Sequence, residues 1–387
     1  MSQWMIPYDK LDEKQLHFID EDIKKDNRIW IQGFAGSGKS VLLLHSVANV
    51  RKKEKNIKIC IIVFTQSLKQ LFIAGMYELN IKNVTIMTYH QFKKETNNFD
   101  YIFSDEIQDL TPSILTKMTE RSKKLIIAGD TNQSIYQSDP QTNERVVEIN
   151  RIEKITKSKV CFLDTNYRLT KSVVKSVQKF IPSMGILLFS KIDKTKKNIT
   201  PNLIKASNRK EEVEYILKKA KDSFSEDENS LIILPTHNEI LKFLNIALEL
   251  EGVKPWDVVY NRWNKPDYYQ LHIYLKKNHI DIEYIGNGYG NLHENGNKKI
   301  IIMTYHSSKG LDFDNVFLPF LDNHIYNEYL TEILFMVGMT RTKKQLTLTY
   351  INNLHPYVKK FKDICNRLNI NDILLENNSD EFDKFDF

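Results

Sequence analysis

Eight residues constrain this chain more than any others. Gly33-Phe34-Ala35-Gly36-Ser37-Gly38-Lys39-Ser40 matches the pattern GxxxxGK[ST] in full. An apolar run, Ile29–Ile31, stands before it, and an apolar helical pattern, Val41–Val50, follows. The order strand, glycine loop, helix predicts a phosphate cradle in an α/β layer. The backbone N–H groups of Gly33, Ala35, Gly36, Ser37 and Gly38 can approach phosphate oxygens, and the helix N-terminus adds favourable partial charge. Lys39 supplies a point charge to the outer phosphates, and Ser40 supplies a hydroxyl to Mg²⁺. Three of the chain's 13 glycines fall in this loop, so a chance glycine cluster is a poor explanation.

The remaining pattern extends the same architecture. Apolar runs recur at Ile59–Phe64, Val84–Met87, Tyr101–Phe103, Leu125–Ala128, Leu231–Leu234, Ile300–Met303, Val316–Leu318 and Leu346–Tyr350, with helical patterns such as Lys210–Lys221 between many of them. Runs apolar at every position suit strands buried on both faces of a parallel sheet. At 387 residues the chain suits two α/β domains in tandem. Gln137 to Lys159 is charged and strandless, which places a boundary near its end. The expected division is 1–160, 161–365 and an acidic tail, 366–387. Ile192 to Thr200 is expected to be a loop, and Asn261 to Asn297 is the least legible stretch.

Composition narrows the classes. A net charge of +6 is compatible with a nucleic-acid partner without requiring one. Three dispersed cysteines form no CxxC pair, which argues against a disulfide framework and fits a reducing cytoplasm. No apolar run reaches the length of a membrane helix, and no secretory leader is expected at the N-terminus.

Asp105-Glu106-Ile107-Gln108-Asp109 follows the run Tyr101–Phe103. A carboxylate at the end of a buried strand can hold Mg²⁺, and the next can polarise an attacking water. Adjacent acids are common on surfaces, so this pair gains meaning only beside the phosphate loop.

With these residues in place, the chain resembles superfamily 1 helicases of the UvrD/Rep type. Leu11-Asp12-Glu13-Lys14-Gln15 resembles the Q motif, which implies that Gln15 reads adenine. Asp105–Asp109 is similar to the DExQD box. Gly129-Asp130-Thr131-Asn132-Gln133-Ser134-Ile135-Tyr136 is similar to GDxxQSIY, which gives Gln133 a γ-phosphate-sensing role. Asn166-Tyr167-Arg168 resembles NYR, with Tyr167 stacking on adenine and Arg168 touching the γ-phosphate. Thr304 to Phe313 is similar to TxHxSKGLEF and brings in His306, Gly310 and Asp312. Val337 to Thr342 resembles VxxTRA, which makes Arg341 a second arginine finger. The resemblance implies two tandem RecA-like domains using ATP and Mg²⁺, with Arg168 and Arg341 offered from the second. It also implies single-stranded DNA or RNA as the partner. Phe64-Thr65-Gln66 and Thr88-Tyr89-His90-Gln91-Phe92 resemble strand-contacting segments, so Phe64, Thr65, Thr88, His90, Tyr136 and His306 are the expected track. An aromatic there would contribute roughly 1–3 kcal/mol per stacked base.

The chain also departs from the family. Gln137-Ser138-Asp139-Pro140 replaces the tryptophan-arginine pair that usually follows QSIY. Asp312 replaces a glutamate, and Pro235 stands where many relatives carry arginine. The Thr65–Thr88 spacing leaves no room for the first large family insertion, and Gly252–Lys298 leaves room only for a small substitute. The expectation is therefore a minimal 3′-to-5′ translocase or helicase. The alternative is a nucleic-acid-stimulated ATPase that controls a protein partner such as a nuclease. A small-molecule kinase leaves the two arginine segments unexplained.

Overall fold

A computed structural model describes residues 4–184, 191–262, 264–286, 289–290, 300–322 and 330–370. Packing divides the chain into two units: the first runs to Arg168 and takes back one short strand, and the second begins at Leu169.

The first unit holds six strands: β1 Arg28–Gly33, β2 Ile59–Val63, β3 Thr85–Thr88, β4 Phe99–Ser104, β5 Ser122–Gly129 and β6 Lys159–Leu163. All pair in parallel, in the order β3-β2-β4-β5-β1-β6. Alternate residues of one strand serve opposite faces. Ile29 and Ile31 join Leu42, Leu43, Val47 and Phe72 on one face, while Trp30 joins Cys60, Ile62 and Ile102 on the other. Helices cover both faces, so each fully buried Ile or Phe adds roughly 1.5–3 kcal/mol. A short parallel pair, β7 Thr165–Asn166 and β8 Lys191–Ile192, completes the unit.

The boundary therefore lies after Arg168, where the sequence suggested residue 160. The physical reason is β6. Its outer edge is exposed and its pattern weak, yet it pairs with β1 from Ile29↔Lys159 to Gly33↔Leu163 and belongs to the first sheet. Gln137–Lys159 also contains a helix, Ile149–Thr156.

The second unit has seven strands: β9 Asn202–Lys205, β10 Ser230–Leu234, β11 Ile282–Tyr284, β12 Ile300–Thr304, β13 Phe313–Leu318, β14 Thr342–Tyr350 and β15 Asn366–Asn369. They form a parallel sheet in the order β11-β12-β10-β13-β14-β9-β15. Strands β10 and β12 are buried throughout, as two-sided strands should be. The expected tail is corrected at its start, since Asn366–Asn369 pairs with β9. The acidic, Phe-containing stretch 371–387 lies outside the described residues. Between β2 and β3 the chain makes one helix, Gln66–Glu78, before returning to the sheet. Among the described residues no helix is long and apolar enough to cross a membrane.

Candidate functional site

Strands β1, β5 and β4 are neighbours, so the segments leaving their carboxyl ends meet. These segments are the glycine loop, Asp130–Tyr136 and Asp105–Asp109. Gly36 and Gly38 take φ of +83° and +84°, the left-handed conformation that favours glycine. Lys39 Nζ donates to the carbonyls of Gly33 (2.8 Å) and Phe34 (3.1 Å), which folds the loop over its own cation. The Ser40 hydroxyl donates to Asp105 Oδ2 at 2.5 Å.

Both walls of the loop are sequence-expected residues. A Cβ on Gly38 would meet Gln15 Nε2 at 2.8 Å. One on Gly36 would meet Arg168 Cβ at 2.5 Å and Asn166 Oδ1 at 2.9 Å. Gln15 is held by a capping box with Asp12, and Asp12 also accepts from the Tyr167 hydroxyl. Asn166 Nδ2 donates to Ala35 O (2.7 Å), and Tyr167 N donates to Gly36 O (2.9 Å). Arg168 is therefore a wall of the loop within the first unit, a correction to the expectation that it comes from the second domain. Asp12 and Asn166 carry positioning roles that the sequence did not assign. Their only signal was adjacency to Gln15 and Tyr167.

The acidic box is locked from below. Asp105 and Glu106 are buried, and burial followed by the Glu106 charge pushes the Asp105 carboxyl upward. Glu106 has φ of +56°, a strained value for a side chain with a Cβ. Its Oε2 accepts from Gln108 Nε2 at 2.5 Å. Gln108 Oε1 accepts from Asp130 N (3.2 Å), and Gln133 Nε2 donates to Asp130 Oδ2 (2.8 Å). Asp109 Oδ1 accepts from Ile135 N (3.0 Å). Thus Gln133 is tied to the acidic box through Asp130 and Gln108.

These groups fit a magnesium nucleotide. The Ser37 hydroxyl is buried without a hydrogen-bond partner, the donor expected where a phosphate oxygen would lie. Ser40 and Asp105 offer two hard oxygen ligands, the usual protein share of a Mg²⁺ shell completed by phosphates and water.

The expected track residues of this unit also gather. Phe64 stacks on Tyr89 (4.7 Å between ring centres, 15°) and packs against Tyr136 (4.9 Å), while Tyr89 lies 3.9 Å from the His90 ring. Thr65 and Thr88 cap helices by accepting from Leu68 N and Gln91 N, leaving their hydroxyl protons free to donate. Burial, then Lys93, holds the His90 imidazole below its ordinary range. In place of the missing tryptophan-arginine pair stands an anchored turn. Asp139 accepts from Lys93 Nζ (2.6 Å) and from the backbone of Gln141 and Thr142. Burial pushes its carboxyl up, but these donors outweigh burial and hold it at about 2.

In the second unit the expected residues divide between two edges of the sheet. His306 follows the carboxyl end of β12. Gly310 and Asp312 precede β13, and Arg341 precedes β14. Gly310 has φ of +80°, and Asp312 pairs with Lys343 at 3.8 Å. Arg341 is buried, donating to Val337 O (2.8 Å), Leu311 O (3.1 Å) and Thr340 Oγ1 (3.0 Å).

Two family models match the chain. The family model of the viral superfamily 1 RNA helicase core domain matches residues 29–229, and that of the UvrD-like helicase C-terminal domain matches residues 280–353. A putative ATP-dependent DNA helicase R568 of Acanthamoeba polyphaga mimivirus is 24% identical over 282 residues, covering 67% of this chain and 35% of that protein. The mitochondrial ATP-dependent DNA helicase HMI1 of Saccharomyces cerevisiae is 34% identical over 87 residues, covering 22% and 12%. The ATP-dependent DNA helicase PcrA of Staphylococcus epidermidis is 30% identical over 88 residues, covering 22% and 12%. The chain thus spans about a third or less of the length of these curated relatives. Among solved structures, the arterivirus nonstructural protein 10 helicase aligns with a TM-score of 0.43 at 12% identity, covering 86% of this chain and 61% of that one.

Proposed function

Because this chain belongs to the superfamily 1 helicases of the UvrD-like kind, we propose that it is an ATP-driven motor on single-stranded nucleic acid, a 3′-to-5′ translocase or helicase acting on DNA. The observation that carries this function is a physical link inside the first unit. Glu106, beside the glycine loop, accepts from Gln108, and the next acid of the same box, Asp109, holds Ile135 N. The neighbouring Tyr136 packs on Phe64 in the aromatic track. Phosphate chemistry and strand contact therefore share one short, hydrogen-bonded segment. The DNA preference is supported by the names of the relatives, and the polarity by likeness to the UvrD branch.

Within that function Lys39 exchanges its two carbonyl partners for the β and γ phosphates. Glu106 takes the proton of the attacking water, while Gln133 and Arg168 stand where γ-phosphate charge develops. Mg²⁺, held by Ser40 and Asp105, would draw charge from the phosphoryl oxygens. By likeness to the VxxTRA segment, Arg341 would be the second arginine. Gln15 and Tyr167 frame the base.

A second function is favoured by one observation. A single helix, Gln66–Glu78, stands where bulky relatives carry an insertion. A motor so reduced suits a strand-stimulated ATPase that switches a protein partner such as a nuclease. Strand displacement measured beside strand-stimulated hydrolysis separates the two. Displacement with stimulation supports the helicase, and stimulation alone supports the switch. Hydrolysis indifferent to any strand overturns both.

A further inference from the structure

The stretch least legible in the sequence carries a surface that no known motif explains. Between β10 and β11 the chain forms a tight hairpin. Tyr260 and Pro266 bridge antiparallel, Asn261 N donates to Lys265 O (2.8 Å) and Asp267 N donates to Val259 O (2.7 Å). Asp267 then caps the helix Tyr268–Lys277 by accepting from Tyr269 N at 3.1 Å. One side of that helix, with Tyr268, Leu271 and Leu275, is buried. The other side presents Tyr269, His272, Ile273 and Lys276, a spacing that lines up on one helical face.

That face is aromatic where a solvated helix should be polar. Tyr269 is 51% exposed, Tyr289 is 38% exposed with its ring 6.2 Å from that of Tyr269, and Tyr260 is 60% exposed. Arg262 and Lys265 on the hairpin and Lys276 on the helix are exposed beside them. From residue 254 to 279 there are five Lys and Arg against two Asp. Tyrosines open to solvent among cations are the chemistry that takes unpaired bases by stacking and phosphates by charge. On the opposite, buried side of the helix the packing runs toward the expected track of its own unit. Tyr268 stacks on Tyr284 (4.9 Å, 22°), whose hydroxyl lies 3.1 Å from His237 Nδ1. Burial, then the His306 charge, holds the His237 imidazole below its usual range.

We infer that Tyr260, Tyr269 and Tyr289, with Arg262 and Lys265, form a second stacking platform for single-stranded nucleic acid on the second unit. It rests on the motor function proposed above. Each stacked ring adds affinity without reading sequence, and the flanking cations make binding salt-dependent.

The test is fluorescence anisotropy of the full chain with oligo-dT and oligo-U of graded length, at two salt concentrations. Tyr269→Ala with Tyr289→Ala should weaken binding roughly five-fold or more, from the lower bound for one stacked base. The affinity gained with strand length should level off earlier in that variant. Tyr269→Phe with Tyr289→Phe keeps the rings and should bind as the wild type does, which excludes a mere folding defect. Arg262→Ala with Lys265→Ala should reduce the salt dependence. If wild type binds strands and the alanine variant binds them equally at every length, the platform is refuted while the motor function stands. Unchanged strand binding with altered self-association would mark a protein-binding surface and equally refute it. If wild type binds neither DNA nor RNA, the motor function itself has failed.

Discussion

Asp109 Oδ1 accepts a hydrogen bond from the backbone N–H of Ile135 at 3.0 Å, joining the acidic box to the residue beside Tyr136. Charge-assisted bonds of this kind are short and directional. If the bond couples the acidic box to the proposed aromatic track, its removal should show in strand-stimulated hydrolysis. Asp109→Ala should lower the stimulation of hydrolysis by single strands by about five-fold or more, the lower range for coupling between sites. Basal and stimulated rates measured on the same preparation check this. Equal loss of both would show that Asp109 serves only the fold.

Lys39→Ala should abolish hydrolysis, because the outer phosphates lose their cation. Glu106→Gln should lower turnover by about 10²–10⁴-fold, the usual worth of a general base. It should still bind ATP, since the amide keeps the shape and can still accept from Gln108. Nucleotide-binding titrations beside turnover distinguish the two variants. Near-normal turnover in either would remove the residue from the mechanism.

Arg341 makes a prediction that differs from a simple finger. Its guanidinium donates to two backbone carbonyls and to Thr340 inside its own unit. Arg341→Ala should therefore lower stability by about 1–3 kcal/mol, the cost of leaving buried groups unpaired, in addition to crippling hydrolysis. Thermal melting and ATPase assays on Arg341→Ala and Arg341→Lys check both effects. A melting temperature equal to wild type would show that the guanidinium bonds do not contribute to the fold.

His355 gives a pH dependence with a definite sign. Burial and then Lys359 hold its imidazole at about 4, below the usual 6.5. Its Nδ1 accepts from Tyr357 N at 3.2 Å, which protonation would forbid. Between these values the unfolded chain binds the extra proton, so stability is full above the unfolded value and falls as pH drops toward 4. By pH 5 the loss should reach about 2 kcal/mol. Denaturant midpoints across this window should follow that slope, and His355→Asn, which keeps an acceptor without titrating, should flatten it. A wild-type slope no steeper than the variant's would refute the assignment.

The strongest elements were legible because burial on both faces writes itself into composition. Ile59–Val63 and Ile300–Thr304 are apolar at nearly every position, and the glycine loop has few alternatives. Edge strands leave no such mark. Lys159–Leu163 and Asn366–Asn369 pair on one side only, so their polar residues hid them, and the unit boundary shifted accordingly. Helix Tyr268–Lys277 was obscured by tyrosines on both its faces. In the site, the residue types were readable, but their supports were not. Nothing in the spacing of Asp12 and Tyr167, or of Asn166 and Ala35, announces that each pair bonds. Those bonds exist because β6 and β7 return the chain to the glycine loop, a tertiary fact.

Arg168 is both a wall of the glycine loop and the first of three places at which the chain passes between the units. Stiffening or loosening the chain just after Arg168 should retune turnover as directly as altering a residue that touches phosphate.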